Sequence, residues 1–274
     1  MELIKHLEET AKAVRYHVID MIYTVQSGHP GSSLSMVEIM TALYFNYAKI
    51  DPRNPLWPDR DRIVLSKGHA CPTWYACLAL KGYFPLETLT TLRQFESLLQ
   101  GHPDKNKTPG VDMTSGSLGH GLSIGVGMAL ESRLSKRNFR VFVILGDGEL
   151  NEGQIWEGAE SASKYKLNNL IAFVDKNRLK MDGTTYEVMP MDPIDKKFEA
   201  FNWEVLSIDG HSFPEILWAL KETEKIKDKP VCILAETIKG KGVSFMENIR
   251  EWHGKAPDTA EYEKAIKEIG RVIL

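Results

Sequence analysis

The chain has 274 residues, 43% hydrophobic and 26% charged, enough for one large domain or two small ones. A formal net charge of −3 and a pI near 6.3, with basic residues dispersed among acids, exclude a nucleic-acid partner held by a basic surface. The opening stretch MELIKHLEETAKAVRYHVIDMIYTVQSGHPG lacks the uninterrupted apolar core of a signal peptide, and no apolar run approaches the length of a membrane span, so no membrane role is expected.

Leu3–Gln26 reads as a helix, with Ile4, Leu7, Ala11, Val14, Val18 and Ile22 on one face. Ser35-x-x-Glu38 has capping-box spacing and predicts a helix start. DRIVLSKG (61–68) reads as a short strand and 101–116 as a long loop. GSLGHGLSIGVGMALESRL begins with glycines and becomes helical, its glycines permitting close packing. RVFVILG (140–146), NLIAFVD (169–175) and VCILAE (231–236) are continuous apolar runs of the kind found in buried parallel strands. WEVLSIDG (203–210) is a fourth, followed by a second capping-box spacing, Ser212-x-x-Glu215. Long loops are expected at 182–200 and 238–257. The alternation predicts an α/β fold, a mostly parallel sheet with helices on both faces, with residues 1–274 as one domain. Cys71, Cys77 and Cys232 form no C-x-x-C pair, and their odd number precludes a complete disulfide framework. Cys232 reads as a small buried hydrophobe, and a reducing cytoplasm is expected.

Ligands of open parallel sheets bind beyond the carboxyl ends of strands. Asp147 ends one proposed strand and Asn177 follows the next. If those strands are neighbours, a carboxylate, an amide oxygen and the nearby Leu179 carbonyl make an oxygen-only site for Mg²⁺, with Ca²⁺ or Mn²⁺ as substitutes, and not for zinc. Gly146 and Gly148 would let a phosphate approach the backbone, and the helix beginning near Glu152 would aim its N-terminus at the anion. Gly-Asp-Gly after a strand is often only a turn; Asn177 past the second strand favours the site.

The stretch GDGELNEGQIWEGAESASKYKLNNLIAFVDKN resembles the thiamine-diphosphate motif, and four further segments narrow the resemblance to transketolase: SGHPGSSLSM (27–36), LSKGHACPTWYA (65–76), QGHPDKNKTPGVDMTSGSLGHGLSIGVGMAL (100–130) and WHGKAP (252–257). The resemblance spans nearly the whole chain but only the N-terminal part of that family. It implies a cofactor, thiamine diphosphate with Mg²⁺, held through Asp147, Asn177 and the Leu179 carbonyl. It implies transfer of a two-carbon ketol unit between sugar phosphates of the xylulose 5-phosphate type. His29, His69, His102 and His253 match positions lining the substrate funnel and the diphosphate site. By resemblance, His29 and His253 serve donor or acceptor oxygens, His102 the ketol hydroxyl, and His69 the cofactor side. Gly116, Ser117 and Leu118 match the segment touching the aminopyrimidine; Gly146, Gly148 and Glu149 belong to the diphosphate motif. Glu152 and Glu157 match acids facing the partner active site. Lys239 and Lys241, in IKGKG, would lie over the diphosphate. For each of these the plain alternative is a turn, a core side chain or a solvated charge; for His6 and His17, inside the first helix, that alternative is taken.

Two positions depart from the family pattern: His120 stands where Gln is common, and Phe95-Glu96-Ser97 where Phe-Arg-Gln is common, which replaces a cation with an anion near the phosphosugar side and suggests an unusual acceptor. The glutamate that activates the cofactor and the groups that bind substrate phosphate lie, in the family, beyond the part matched here. The resemblance therefore implies the N-terminal subunit of a two-polypeptide transketolase. A C-terminal subunit would bear the pyrimidine-binding and C-terminal domains, in an α2β2 assembly whose interface buries more than about 2,000 Å². Trp156 and Leu122 are expected at that interface. Remaining alternatives are a 1-deoxyxylulose-5-phosphate synthase, the α-type subunit of a 2-oxoacid dehydrogenase, and a non-catalytic cofactor-binding module.

Overall fold

The computed structural model describes residues 2–270 and Val272. Five strands form one parallel sheet in the order β1-β2-β3-β5-β4: β1 Arg62–Leu65, β2 Val141–Gly146, β3 Leu170–Lys176, β4 Glu204–Asp209 and β5 Val231–Glu236. Each is one of the runs expected from the sequence. The helices are α1 Glu2–Val25, α2 Pro30–Leu34, α3 Val37–Ala42, α4 Cys71–Lys81, α5 His120–Leu134, α6 Gly153–Lys164, α7 Thr185–Val188, α8 Ile194–Ala200, α9 Phe213–Thr223 and α10 Thr259–Ile269.

The alternation within each strand explains the two layers. Phe142 and Ile144 point to one face of β2, where they join side chains of α1, α3, α4, α9 and α10. Val141, Val143 and Leu145 point to the other, against α5, α6 and α8. Strands buried on both faces have no polar alternation, which is why they read as uninterrupted apolar runs. Each fully buried Val, Leu, Ile or Phe contributes roughly 1.5–3 kcal/mol relative to exposure. The α5 glycines do pack closely: a Cβ on Gly125 would stand 2.6 Å from Val143 Cγ2.

Three local expectations are corrected. Ser35 does not cap α3; that helix has Met36 at its N-cap without a side-chain bond, while Ser35 Oγ donates to Asp175 Oδ2 (2.5 Å). Ser212 does cap α9 by accepting from Glu215 N, but Glu215 returns its carboxylate to Asp209 N, not to the cap residue. Reciprocal capping boxes occur instead at Thr184/Glu187 and Asp258/Glu261. The first of these opens α7, so residues 182–200 are not one loop but contain α7 and α8.

Register decides where the polar groups fall. Gly146 pairs with Asp175, and Asp175 with Ala235, so the carboxyl ends of β2, β3 and β5 are level. Asp147, Asn177 and Lys239 leave those three ends, and Lys67 leaves β1, beside β2.

Candidate cofactor site

A cavity of about 300 Å³ opens at this edge, lined by Ser32, Lys67, His69, Leu118, the 146–149 turn, Asn177, Leu179–Asp182 and His253. Its floor is polar and buried. Asp147 is 3% exposed; its Oδ1 accepts from Gly148 N (2.7 Å) and its Oδ2 from Arg178 N (2.6 Å). Burial, reinforced by the nearby Asp175 carboxylate, pushes Asp147 up to about 6. Asn177 donates from Nδ2 to Asp175 Oδ2 (3.2 Å), which leaves its Oδ1 as the acceptor, beside Leu179 N (3.2 Å). Leu179 presents its carbonyl to Lys239 Nζ (3.0 Å).

Asp175, fully buried, is the hub beneath these groups. It accepts from Lys67 Nζ, Ser35 Oγ, Thr237 Oγ1 and Asn177 Nδ2. Burial alone would raise its pKa, but Lys67 and these donors hold it below the ordinary carboxylate range. Lys67 is thus committed to Asp175, and Asp147 has no direct ion pair among the described residues. A buried carboxylate in that state, beside an amide oxygen and a carbonyl, is the environment a hard divalent cation relieves. No three His, Cys, Asp or Glu side chains cluster as a metal site among the described residues.

Above the floor three imidazoles face one another. Ring centroids of His29 and His69 are 5.2 Å apart, of His29 and His253 5.5 Å, and of His69 and His253 5.2 Å. Burial lowers His29 to about 4, helped by Arg93, His102 and Lys239; burial lowers His253 to about 4, helped by Lys239. His69 falls well below its ordinary value, again chiefly by burial and then by Lys67. His102 lies at the rim, its pKa lowered by burial and Arg93, beside Gly116: a Cβ there would stand 3.5 Å from His102 Cγ. Gly116 has φ +146°, a conformation that only glycine adopts without strain. Ser117 and Leu118 follow as exposed residues, with Leu118 on the cavity wall.

Lys239 is fully buried and sends Nζ to His253 Nδ1 (2.8 Å) as well as to Leu179; burial and the nearby Lys67 bring it down to about 8. Lys241 points elsewhere, toward Glu247 (3.5 Å). Glu149 borders the cavity but its carboxylate is spent inside the fold, on Gly119 N, Gly146 N and Ser66 Oγ. Glu152 and Glu157 are exposed on the first turns of α6, away from any ion pair among the described residues. The chain's own fold claims Leu122 wholly and Trp156 in part. Leu122 is in the core, and Trp156 packs on Phe198 and Phe201 with its Nε1 donating to Leu150 O. Arg93 stands three residues before Glu96. Arg93 reaches His29 Nδ1 (3.2 Å) and Ser27 Oγ (3.0 Å), while Phe95 and Glu96 face solvent. Sequence reading passed over Arg93, Lys67, Ser32 and Asp175.

This is an α/β domain whose sheet edge gathers a carboxylate without an ion pair among the described residues, an amide oxygen and a backbone carbonyl, two buried lysines and three imidazoles whose pKa values burial lowers. Over residues 7–271 the chain matches the family model described as "Transketolase, thiamine diphosphate binding domain", and it belongs to that family. It is 46% identical over 263 residues to the 6-deoxy-6-sulfo-D-fructose transketolase subunit SqwG of Clostridium sp. (strain MSTE9), covering 96% of each chain. It is 39% identical over 270 residues to an apulose-4-phosphate transketolase subunit from Phocaeicola vulgatus, covering 98% of this chain and 96% of that one. Against human transketolase the identity is 41% over 270 residues, but the match spans 97% of this chain and 42% of the human protein. Transketolase from Leishmania mexicana superposes with a TM-score of 0.92 at 30% identity, over 97% of this chain and 41% of that one.

Proposed function

We propose that residues 1–274 form one thiamine-diphosphate-binding domain, the cofactor-diphosphate subunit of a two-subunit transketolase. Its reaction is the reversible transfer of a two-carbon ketol unit from a ketose to an aldose. One observation carries the reading: Asp147, Asn177, Leu179 and Lys67 line one cavity at the carboxyl edge of the sheet, with Lys239 Nζ behind it on the Leu179 carbonyl. Asp147, Asn177 Oδ1 and Leu179 O are the groups that would hold Mg²⁺, and Lys239 would offset the cofactor's diphosphate charge. When bound, thiamine diphosphate supplies the nucleophilic carbon and the electron sink for breaking the ketose carbon–carbon bond.

The chain's own part is to orient substrate oxygens by donating hydrogen bonds to them. With pKa values near 4, His29 and His253 are neutral at pH 7; each accepts at Nδ1 from a cation, so its own proton is on Nε2 and would be donated to a substrate oxygen. Lys239 donates to His253 Nδ1, so His253 presents Nε2 to the cavity side. Arg93 fixes His29 through Nδ1 in the same way. His102 stands further out, with Glu152 and Glu157 on an exposed face available to a second active site.

The same-length relatives are subunits named for 6-deoxy-6-sulfo-D-fructose and apulose 4-phosphate. That supports an uncommon charged ketose as donor over the xylulose 5-phosphate type. A C-terminal partner subunit in an α2β2 assembly fits the exposed apolar rim of Leu118, Met181, Tyr186, Val188, Met189 and Ile249. The three buried free cysteines fit a reducing cytoplasm. The deciding assay gives the purified chain thiamine diphosphate, Mg²⁺ and ribose 5-phosphate, with xylulose 5-phosphate, 6-deoxy-6-sulfofructose or apulose 4-phosphate as donor. Turnover is expected only after addition of a partner chain bearing the pyrimidine-binding and C-terminal domains. Robust turnover by the lone chain would end the two-subunit reading, and fastest turnover of xylulose 5-phosphate would end the preference for an uncommon donor.

A further inference from the structure

Lys239 sits on the segment after β5, and the backbone on both sides of it is gripped by side chains from distant elements. Ile238 N donates to His211 Nε2 (2.8 Å), and Lys241 O accepts from Arg15 Nε (3.1 Å). His211 and Arg15 are joined beneath by one carboxylate: His211 Nδ1 is 2.9 Å from Glu38 Oε2, and Arg15 Nη2 donates to Glu38 Oε1. Because His211 Nε2 accepts, its proton is on Nδ1, pointing at Glu38. Glu38 is 6% exposed and Arg15 9%. Burial would raise the Glu38 pKa, but Arg15 and His211 hold it below the ordinary value. A buried, fully paired network of this kind is costly to break at one member and gives a single geometry when complete.

Two glycines make the grip possible. Gly242 has φ +91°, and a Cβ there would stand 2.6 Å from Arg15 Nε. Gly240, at φ +81°, donates its N–H to Gly31 O (3.0 Å), tying the segment to the loop that carries His29. None of Arg15, Glu38 or His211 lines the cavity; Arg15 and His211 hold the backbone that carries Lys239, and Glu38 joins the two.

We propose that Arg15, Glu38 and His211 form a positioning relay that clamps residues 238–242 and so holds the buried Lys239 ammonium behind the cavity wall, on Leu179 O and His253 Nδ1. The inference rests on the cofactor reading given above. It assigns these three residues, from α1, α3 and the β4–α9 turn, a role in anion affinity that none of them exerts by contact.

The test is a double-mutant cycle read by calorimetry, with thiamine diphosphate plus Mg²⁺ and with magnesium pyrophosphate, which asks only for this chain's cavity. His211→Ala should weaken binding roughly 10-fold, in the range for losing an outer partner of a ligand-holding group. In a Lys239→Met background the same change should cost almost nothing further, because the relay acts only through Lys239. His211→Gln, whose Oε1 can accept from Ile238 N, should recover most of the affinity, and it carries the test if the alanine variant does not fold. Equal losses in both backgrounds, or wild-type affinity in His211→Ala, would overturn the relay while leaving the site reading intact. Failure of the wild-type chain to bind either probe would remove the site reading and the relay with it.

Discussion

At Asp147 two backbone donors hold a carboxylate whose natural cation, Lys67, has been taken by Asp175. Its folded pKa, near 6, lies above the unfolded value of 3.8. A raised pKa contributes stability below the unfolded value and loses it as pH rises through the folded one, so at pH 7 the ionised group strains the metal-free fold. Asp147→Ala should therefore leave the melting temperature near wild type at pH 7. It should also lower cofactor–Mg²⁺ affinity by more than the roughly 10- to 100-fold expected for an outer-shell group. Titration calorimetry with parallel melts checks both, and unchanged affinity would mean that the ligand lies elsewhere. The imidazoles have the opposite sign. His29 and His253 fall from 6.5 to about 4 on folding, so their neutral burial contributes stability above pH 6.5 that is lost as pH drops toward 4. A His29→Gln/His253→Gln variant should show a flatter melting-temperature profile across that window than wild type. At this scale the sequence exposed Asp147 and Asn177 because each breaks out of an apolar run. It hid Lys67 and Asp175, whose meeting across 108 positions is made only by the sheet.

Elements were legible in proportion to how completely their burial writes a pattern. β2, β3 and β5 are apolar over most of their length, β1 and β4 less so, and the α1 stripe from Leu7 to Ile22 is buried as its spacing requires. Capping residues were less legible, because Ser35 and Glu38 have the local spacing of a box but are claimed by tertiary partners, Asp175 and the Arg15–His211 pair. Trp156 is claimed within the chain as well. An aromatic on an amphipathic helix beside the site reads as an interface residue, and Phe198 of α8 and Phe201 pack on part of it. Trp156→Ala should accordingly destabilise the isolated chain by about 3 kcal/mol, the lower end for losing a packed aromatic. Denaturant melts of the lone chain measure this directly, and a loss seen only in a complex would return Trp156 to the interface.

For the whole molecule, the cavity opens beside a segment whose apolar side chains are poorly covered. Met181 is 61% exposed, Tyr186 81% and Met189 56%, all within the segment that follows Leu179 and is tethered to it by the Leu179–Thr184 bridge. α7 has no buried residue, so its own folding does not account for the apolar side chains it carries. Burying them against a second polypeptide would remove apolar surface from water at roughly 25 cal/mol per Å² and would close the cavity mouth at Met181 and Leu118. Tyr186→Glu with Met189→Glu should leave the fold of the lone chain unchanged, since neither side chain is packed. Ketol transfer by the mixed subunits should fall in parallel with their association, measured by sedimentation, and should recover at high partner concentration. A variant that associates normally would place the partner on another face. One that associates normally but turns over slowly would make this segment a lid over substrate, not a docking edge.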